Sequence, residues 1–426
     1  MNRKLIINSK ITLSDIIIIL LCLQMWNTYT ILLGFSTVLR WGMVFCIGIQ
    51  MVFNKKHVLH VDKKSLGQKL WLIMLIYFWL GSLYSLNKNA TISYCISITT
   101  ATILLYVVLR PKFYKKCLEV FYAILIFSLI TIYLNFIIHN LMTNYLAFCI
   151  PDSIRPAVNL EVSSGVYSGI FADRANAAFA LNIGFAISYA KSWIEEKKKN
   201  KKKYLILTVL FFIGILVTGK RTLALIPIII ILMSMILKTK NKKNQIILSI
   251  MISISVVLLI ILTFTTDLSS LFMRKGSDDI FNSRSSILWP IAFKMFNGHK
   301  LFGTGINTYN TIINNDYWNN ATLSSWINQA HNIYIQILGE AGIIGFILLI
   351  TVLFVNLKKT IKLFECNKNK IVHFVLFSSL SIQIIWIVYG LTGNPFYYSQ
   401  QLLTYIFAVS AMEEISNDKN RCFNIP

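Results

Sequence analysis

The sequence predicts an all-α integral membrane protein, a bundle of about 12 transmembrane helices with one large external loop containing short helices. Three observations predict it. Of the 426 residues, 56% are hydrophobic and 14% charged, and the mean hydropathy of +0.63 is too high for a soluble chain of this length. The apolar residues fall in runs that match the roughly 20 residues one helical crossing needs. There is no long period-two alternation of the kind a membrane barrel requires, and no internal repeat of 20 to 50 residues.

Taken in order, crossings are expected near 13–34, 37–53, 67–85, 90–109, 118–138, 166–190, 204–219, 222–237, 246–264, 342–357, 371–391 and 396–412. The amino-terminal run after Arg3, Lys4 and Lys10 extends too far for a cleaved signal and reads as a retained first helix. The chain then divides into 1–264 with helices one to nine, 265–341 as a large extracytoplasmic loop, and 342–426 with helices ten to twelve and a cytoplasmic tail. In the loop, SRSSILWPIAFKMF sets Ile287, Ile291, Lys294 and Met295 at helical spacing, with Pro290 shifting or breaking the start.

The net charge of +24 raises nucleic-acid binding as an option, but the basic residues sit in short clusters between apolar runs rather than on one soluble face. They read as helix anchors. With the amino terminus in the cytoplasm, most of the 41 Lys and Arg residues fall on the cytoplasmic side, the run Lys197 to Lys203 among them. Both termini are then cytoplasmic. The outside receives 139–165, the turn TGKRT at 218–222, and 265–341. The seven cysteines form no C-x-x-C pair and imply neither a metal site nor a disulfide framework.

Three constellations carry the chemistry. Lys220 and Arg221, after Gly219, are two adjacent cations at an outward helix turn, against the charge bias of the rest of the chain. Snorkelling anchors are the competing explanation. Arg284, in NSRSSILW, offers a planar fork of donors suited to a diphosphate, while an ion pair with Asp278 or Asp279 explains it equally well. His331, with Asn332, is a natural general base near neutral pH. A structural interfacial histidine is its alternative, weighed against the nine-residue gap that separates Asn332 from Gly342-x-x-Gly345. Those glycines would let a neighbouring helix approach closely.

The stretch HNIYIQILGEAGIIG resembles the H-[NSQ]-x9-G-x-x-G signature of the O-antigen ligase and polymerase superfamily. TGKRT is similar to its T-G-S-R turn, with Arg221 matching and Lys220 departing. GIFADRANAAFA and LFGTGINTY resemble two further family segments. The resemblance implies a multi-helix membrane glycosyltransferase of the bacterial cytoplasmic (inner) membrane, using no metal and no cofactor. On it, Arg221 and Arg284 bind the diphosphate of a polyprenyl-diphosphate-linked oligosaccharide and His331 activates the acceptor hydroxyl. Arg174 has no family counterpart and enters as a third cation on position alone, with Lys220 and Asn332 also at the substrate. Trp289, Tyr309 and Trp326 would stack on sugar rings, an interfacial belt being the alternative.

The expected reaction is polymerisation, with inversion at the anomeric carbon, of an O-antigen, capsule or exopolysaccharide repeat unit. A ligase that passes the glycan to another lipid or cell-wall acceptor is the alternative, and a transporter or flippase of lipid-linked sugars is the second. Membrane lipid, a chain-length regulator and a flippase are the expected partners, with no nucleic acid.

Overall fold

The computed structural model describes residues 12–26, 35–53, 65–107, 111–139, 141–146, 148, 150–239, 288–312, 329–367 and 369–422, with scattered positions between 243 and 257. Its regular elements are all helical. The fifteen helices used below are α1 (Leu13–Trp26), α2 (Ser36–Phe53), α3 (Leu66–Gly81), α4 (Lys88–Thr102), α5 (Pro111–Ile137), α6 (Arg155–Ser163), α7 (Arg174–Ile194), α8 (Lys198–Val217), α9 (Arg221–Ala224), α10 (Ile226–Lys238), α11 (Trp289–Gly298), α12 (Tyr309–Ile312), α13 (Ile333–Cys366), α14 (Lys370–Tyr389) and α15 (Ser399–Cys422).

Among the described residues, four helical stretches are long and apolar enough to cross a bilayer: Lys112–Ile137, Arg221–Lys238, Ile333–Cys366 and Lys370–Tyr389. The chain is therefore an α-helical, multi-pass membrane protein. A count of about twelve crossings and a single large external loop reach beyond those four spans. Helix starts follow the polar residues that precede the apolar runs. Ser65 and Gln68 form a reciprocal capping box on α3, while Asn87, Asp173 and Asn369 accept from the first backbone amides of α4, α7 and α14.

Helices α7, α14 and α15 form the buried centre. Trp386 and Tyr405 are fully buried and pack 4.8 Å apart between α14 and α15. On α7, a methyl group at Gly184 would lie 2.2 Å from the Phe211 ring, so this glycine sets the close approach of α8. The outer faces are apolar too: Ile206, Val209 and Ile213 of α8 and Val38 and Phe45 of α2 are exposed, as lipid-facing positions should be.

Two elements differ from the sequence expectation. Residues 166–173, read as the start of the sixth crossing, form an irregular approach with a short 3-10 turn at Gly169–Phe171, and the helix opens only at Arg174. The tenth crossing, expected from residue 342, belongs to a helix that already starts at Ile333 and is kinked at Gly342 (φ 64°, ψ −171°). The two glycines have separate reasons. A side chain on Gly342 would lie 2.3 Å from the Leu301 carbonyl oxygen, in a left-handed conformation, whereas a methyl on Gly345 would lie 2.3 Å from the Ala341 side chain in the same helix and 3.1 Å from Tyr77 of α3. Helix α11 does start beside Pro290, which occupies its first turn.

Candidate active site

Asn332 is the N-cap of α13, and its carboxamide oxygen accepts from Tyr334 N at 3.0 Å and Ile335 N at 3.1 Å. That oxygen is committed to the helix. His331, immediately before it, is half-buried and has a left-handed backbone with φ 52°, which a non-glycine residue adopts only when its surroundings hold it there. The restraints lie on both sides. Ala330 N donates to Gln336 Oε1 at 3.0 Å, Trp289 Nε1 donates to the Ala330 carbonyl at 3.1 Å, and Ile333 N donates to the Gly390 carbonyl at 2.9 Å.

Beneath this turn lies a buried carboxylate. Glu340 Oε1 accepts from Tyr309 N (2.9 Å) and Gln336 Nε2 (3.1 Å), and Oε2 accepts from Asn307 N (2.6 Å) and the Tyr397 hydroxyl (2.5 Å). It fastens the LFGTGINTY segment to α13. The approach is closest at Gly303, where an added methyl would be 2.3 Å from the Glu340 backbone. Tyr309 is fully buried and its hydroxyl donates to the Leu288 carbonyl at 2.6 Å, so its ring supports the site from inside rather than offering an open face. Burial and the Glu340 charge hold that phenol well above its ordinary pKa, which keeps it a hydrogen-bond donor.

The cations gather around a second turn. Gly219 has φ 63°, and a side chain there would strike Val166 at 2.3 Å, so the sharp turn before Lys220 and Arg221 needs glycine. Arg174 opens α7 and pairs with Glu161 of α6 at 3.7 Å. Arg174 lies within electrostatic reach of Arg221, and Lys220 within reach of Glu161. The fold thus brings Arg174, Lys220 and Arg221 together. Arg284 and Trp326 lie outside the described residues.

The turn after α14 joins the two regions. Gly390 takes the Ile333 amide on the His331 side, and the Thr392 hydroxyl donates to Thr222 Oγ1 at 3.1 Å, next to Arg221. Asn394 completes it by donating to Gln329 Oε1 (2.9 Å) and Gln336 Oε1 (3.0 Å), the residues flanking His331.

Residues 206–350, running from α8 through the Lys220 and Arg221 turn into α13, match the family model described as O-antigen ligase. That stretch, about a third of the chain, is similar to the O-antigen ligase family. The match agrees with the resemblance to O-antigen ligases and polymerases carried by HNIYIQILGEAGIIG and TGKRT. No curated protein matches the chain. The O-antigen ligase match contains His331, Arg221 and the Glu340 carboxylate, and it supports a membrane enzyme of the glycosyltransferase kind.

Sequence reasoning missed Glu340, Gln336, Glu161 and the Thr392 to Asn394 turn. Glu340 had a signal, a lone carboxylate between two glycines at the head of an apolar helix, where an unpaired charge is costly. Glu161 had none, since its surroundings come from three separate stretches. Burial and the neighbouring Asp173 push its carboxyl up to about 7, with Arg174 and Lys220 pulling the other way. The folded chain therefore keeps this proton to about pH 7, against 4.5 for the ordinary carboxyl. The group's contribution to stability is full below that lower value and is lost as pH rises through the window. Thermal unfolding in detergent should show the wild type melting about 2 °C or more lower at pH 8 than at pH 5.5, with much of the slope absent in Glu161→Gln. An unchanged slope would mean that Glu161 does not titrate in this range.

Proposed function

We propose that the protein is a polysaccharide polymerase, which transfers a growing glycan from its polyprenyl-diphosphate carrier to a hydroxyl of the next lipid-linked repeat unit. Arg221 and Arg284 bind the donor diphosphate, flanked by Lys220 and Arg174, and His331 takes the proton of the acceptor hydroxyl. That oxygen bonds to the anomeric carbon with inversion while the bond from this carbon to phosphate breaks. The polyprenyl diphosphate leaves with its growing negative charge held by the arginines, which act without reorganising at the moment of reaction. Trp289 and Trp326 are the sugar-stacking candidates, and no metal or cofactor enters the scheme.

One observation carries this reading: the Gly390 to Asn394 turn is hydrogen-bonded on one side to the residues around His331 and on the other to Thr222 beside Arg221. A base and a cation cluster fastened to one turn are what transfer away from a diphosphate needs. The proposed setting is a bacterial cytoplasmic membrane crossed about twelve times. Both termini are cytoplasmic, the loop 265–341 faces outward, and a flippase and a chain-length regulator work alongside. A ligase, moving the finished glycan to another lipid or cell-wall acceptor with the same residues, is the second reading, favoured by the description of the matching family.

The test is purified protein in lipid with one synthetic lipid-linked repeat unit. A product ladder that disappears in Arg221→Ala, Arg284→Ala and His331→Ala is the expected result. Transfer only when a different acceptor is supplied would make the protein a ligase, and passage of intact substrate across the bilayer with no new bond would sink the enzyme reading.

A further inference from the structure

A cation-bearing cavity of about 330 Å³ lies between α2, α4, the Asn307 segment and the start of α15. Arg40 of α2 projects into a wall of hydroxyls and amides that includes Ser93 and Ser97 of α4, Asn307, Tyr397 and Gln400. Among the described residues no carboxylate lines it. Arg40 Nη1 donates to the Ser97 hydroxyl at 2.9 Å, and Nε is buried and meets no hydrogen-bond partner among the described residues. A guanidinium with five donors in a site without a carboxylate is poorly explained as a structural ion pair. An interfacial anchor explains it no better, since that role sends the head group out to water.

Two walls of the cavity belong to the Glu340 network. Asn307 N and the Tyr397 hydroxyl both donate to Glu340 Oε2, Gln336 donates to Oε1 of the same carboxylate, and Gln336 in turn accepts from Ala330 N, next to His331. A ligand seated against Asn307 and Tyr397 is therefore connected to the His331 turn through one continuous hydrogen-bond chain. Beside the cavity, α2 exposes Val38, Trp41 and Phe45, an apolar face for the tail of a lipid.

We infer that this cavity holds the phosphate end of a second lipid-linked saccharide, the acceptor, while the Arg221 cluster holds the donor. This rests on the transferase reading above. Arg40 binds the acceptor's phosphate oxygens, the serines and amides bind the adjoining sugar hydroxyls, and the polyprenyl chain leaves along α2. Two separate cationic sites would let two like-charged lipid carriers approach one histidine at once.

The full chain in detergent, titrated with a non-transferable lipid-linked phosphonate analogue and followed by native mass spectrometry, should bind two analogues. Arg40→Gln and Arg221→Ala should each bind one, and Arg40→Lys should keep two. Ser93→Val, which narrows the cavity from α4 without touching Arg40, should weaken the same second event if Arg40→Gln folds poorly. In turnover with a separate donor and acceptor, Arg40→Gln should raise the acceptor KM about tenfold, the loss of one charge-assisted contact, and leave kcat within about twofold.

A single bound analogue in the wild type, or two in Arg40→Gln, overturns the proposal. So does competition for the second site by phosphatidylglycerol, which makes it an ordinary phospholipid site, or by inorganic pyrophosphate as effectively as by the analogue, which makes it a soluble-anion site. Failure of the transferase reading looks different: no product forms in any variant, while the binding stoichiometry still counts the sites.

Discussion

Replacing His331 by glycine is expected to abolish glycan transfer while leaving the chain at least as stable as the alanine variant. The left-handed φ of 52° strains a residue with a Cβ and is natural to glycine, so His331→Gly relieves roughly 1 kcal/mol of backbone cost as it removes the imidazole. His331→Ala removes the same ring and keeps the strain. Both should lose transfer by about 10²-fold or more, the range expected for a general base, with the glycine variant melting at or above the alanine one. The pair separates chemistry from architecture: if His331→Gly keeps its activity, the histidine serves only to shape the turn.

Glu340→Ala should be among the most destabilising single substitutions in the protein. It strips the acceptor from four donors at once, Asn307 N, Tyr309 N, the Tyr397 hydroxyl and Gln336 Nε2, at a site with no exposed surface. Orphaning several buried donors costs about 4 kcal/mol or more in total. Glu340→Gln is the graded case. Its amide NH₂ must face at least one donor that cannot turn to accept, either Asn307 N or Tyr309 N, for a cost of about 1–3 kcal/mol. Thermal unfolding of the two variants in detergent should rank them in that order. An alanine variant that melts within a degree or so of the wild type would mean that the carboxylate does not hold the LFGTGINTY segment in place. Should the glutamine variant fold, its acceptor KM should rise more than its donor KM, because Asn307 and Tyr397 also wall the Arg40 cavity.

The sequence by itself determined the class of this protein and named the residues proposed for its chemistry. An apolar composition with runs of bilayer length leaves few alternatives to helices, because backbone groups in hydrocarbon must be satisfied within the segment. Glycines flag themselves in the same way. Gly219 and Gly342 stand where the chain must take a left-handed turn, and both sit inside motifs legible in one dimension. The tertiary structure decided which polar residues meet. Glu161 and Arg174 come from helices on either side of the 3-10 turn at Gly169–Phe171, Thr392 reaches Thr222 across 170 positions, and Arg40 acquires its cavity from three other parts of the chain. Periodicity records only the contacts a helix makes with itself and the face it buries. What a buried carboxylate or an arginine is worth depends on partners brought by packing from distant segments, and no local pattern encodes them.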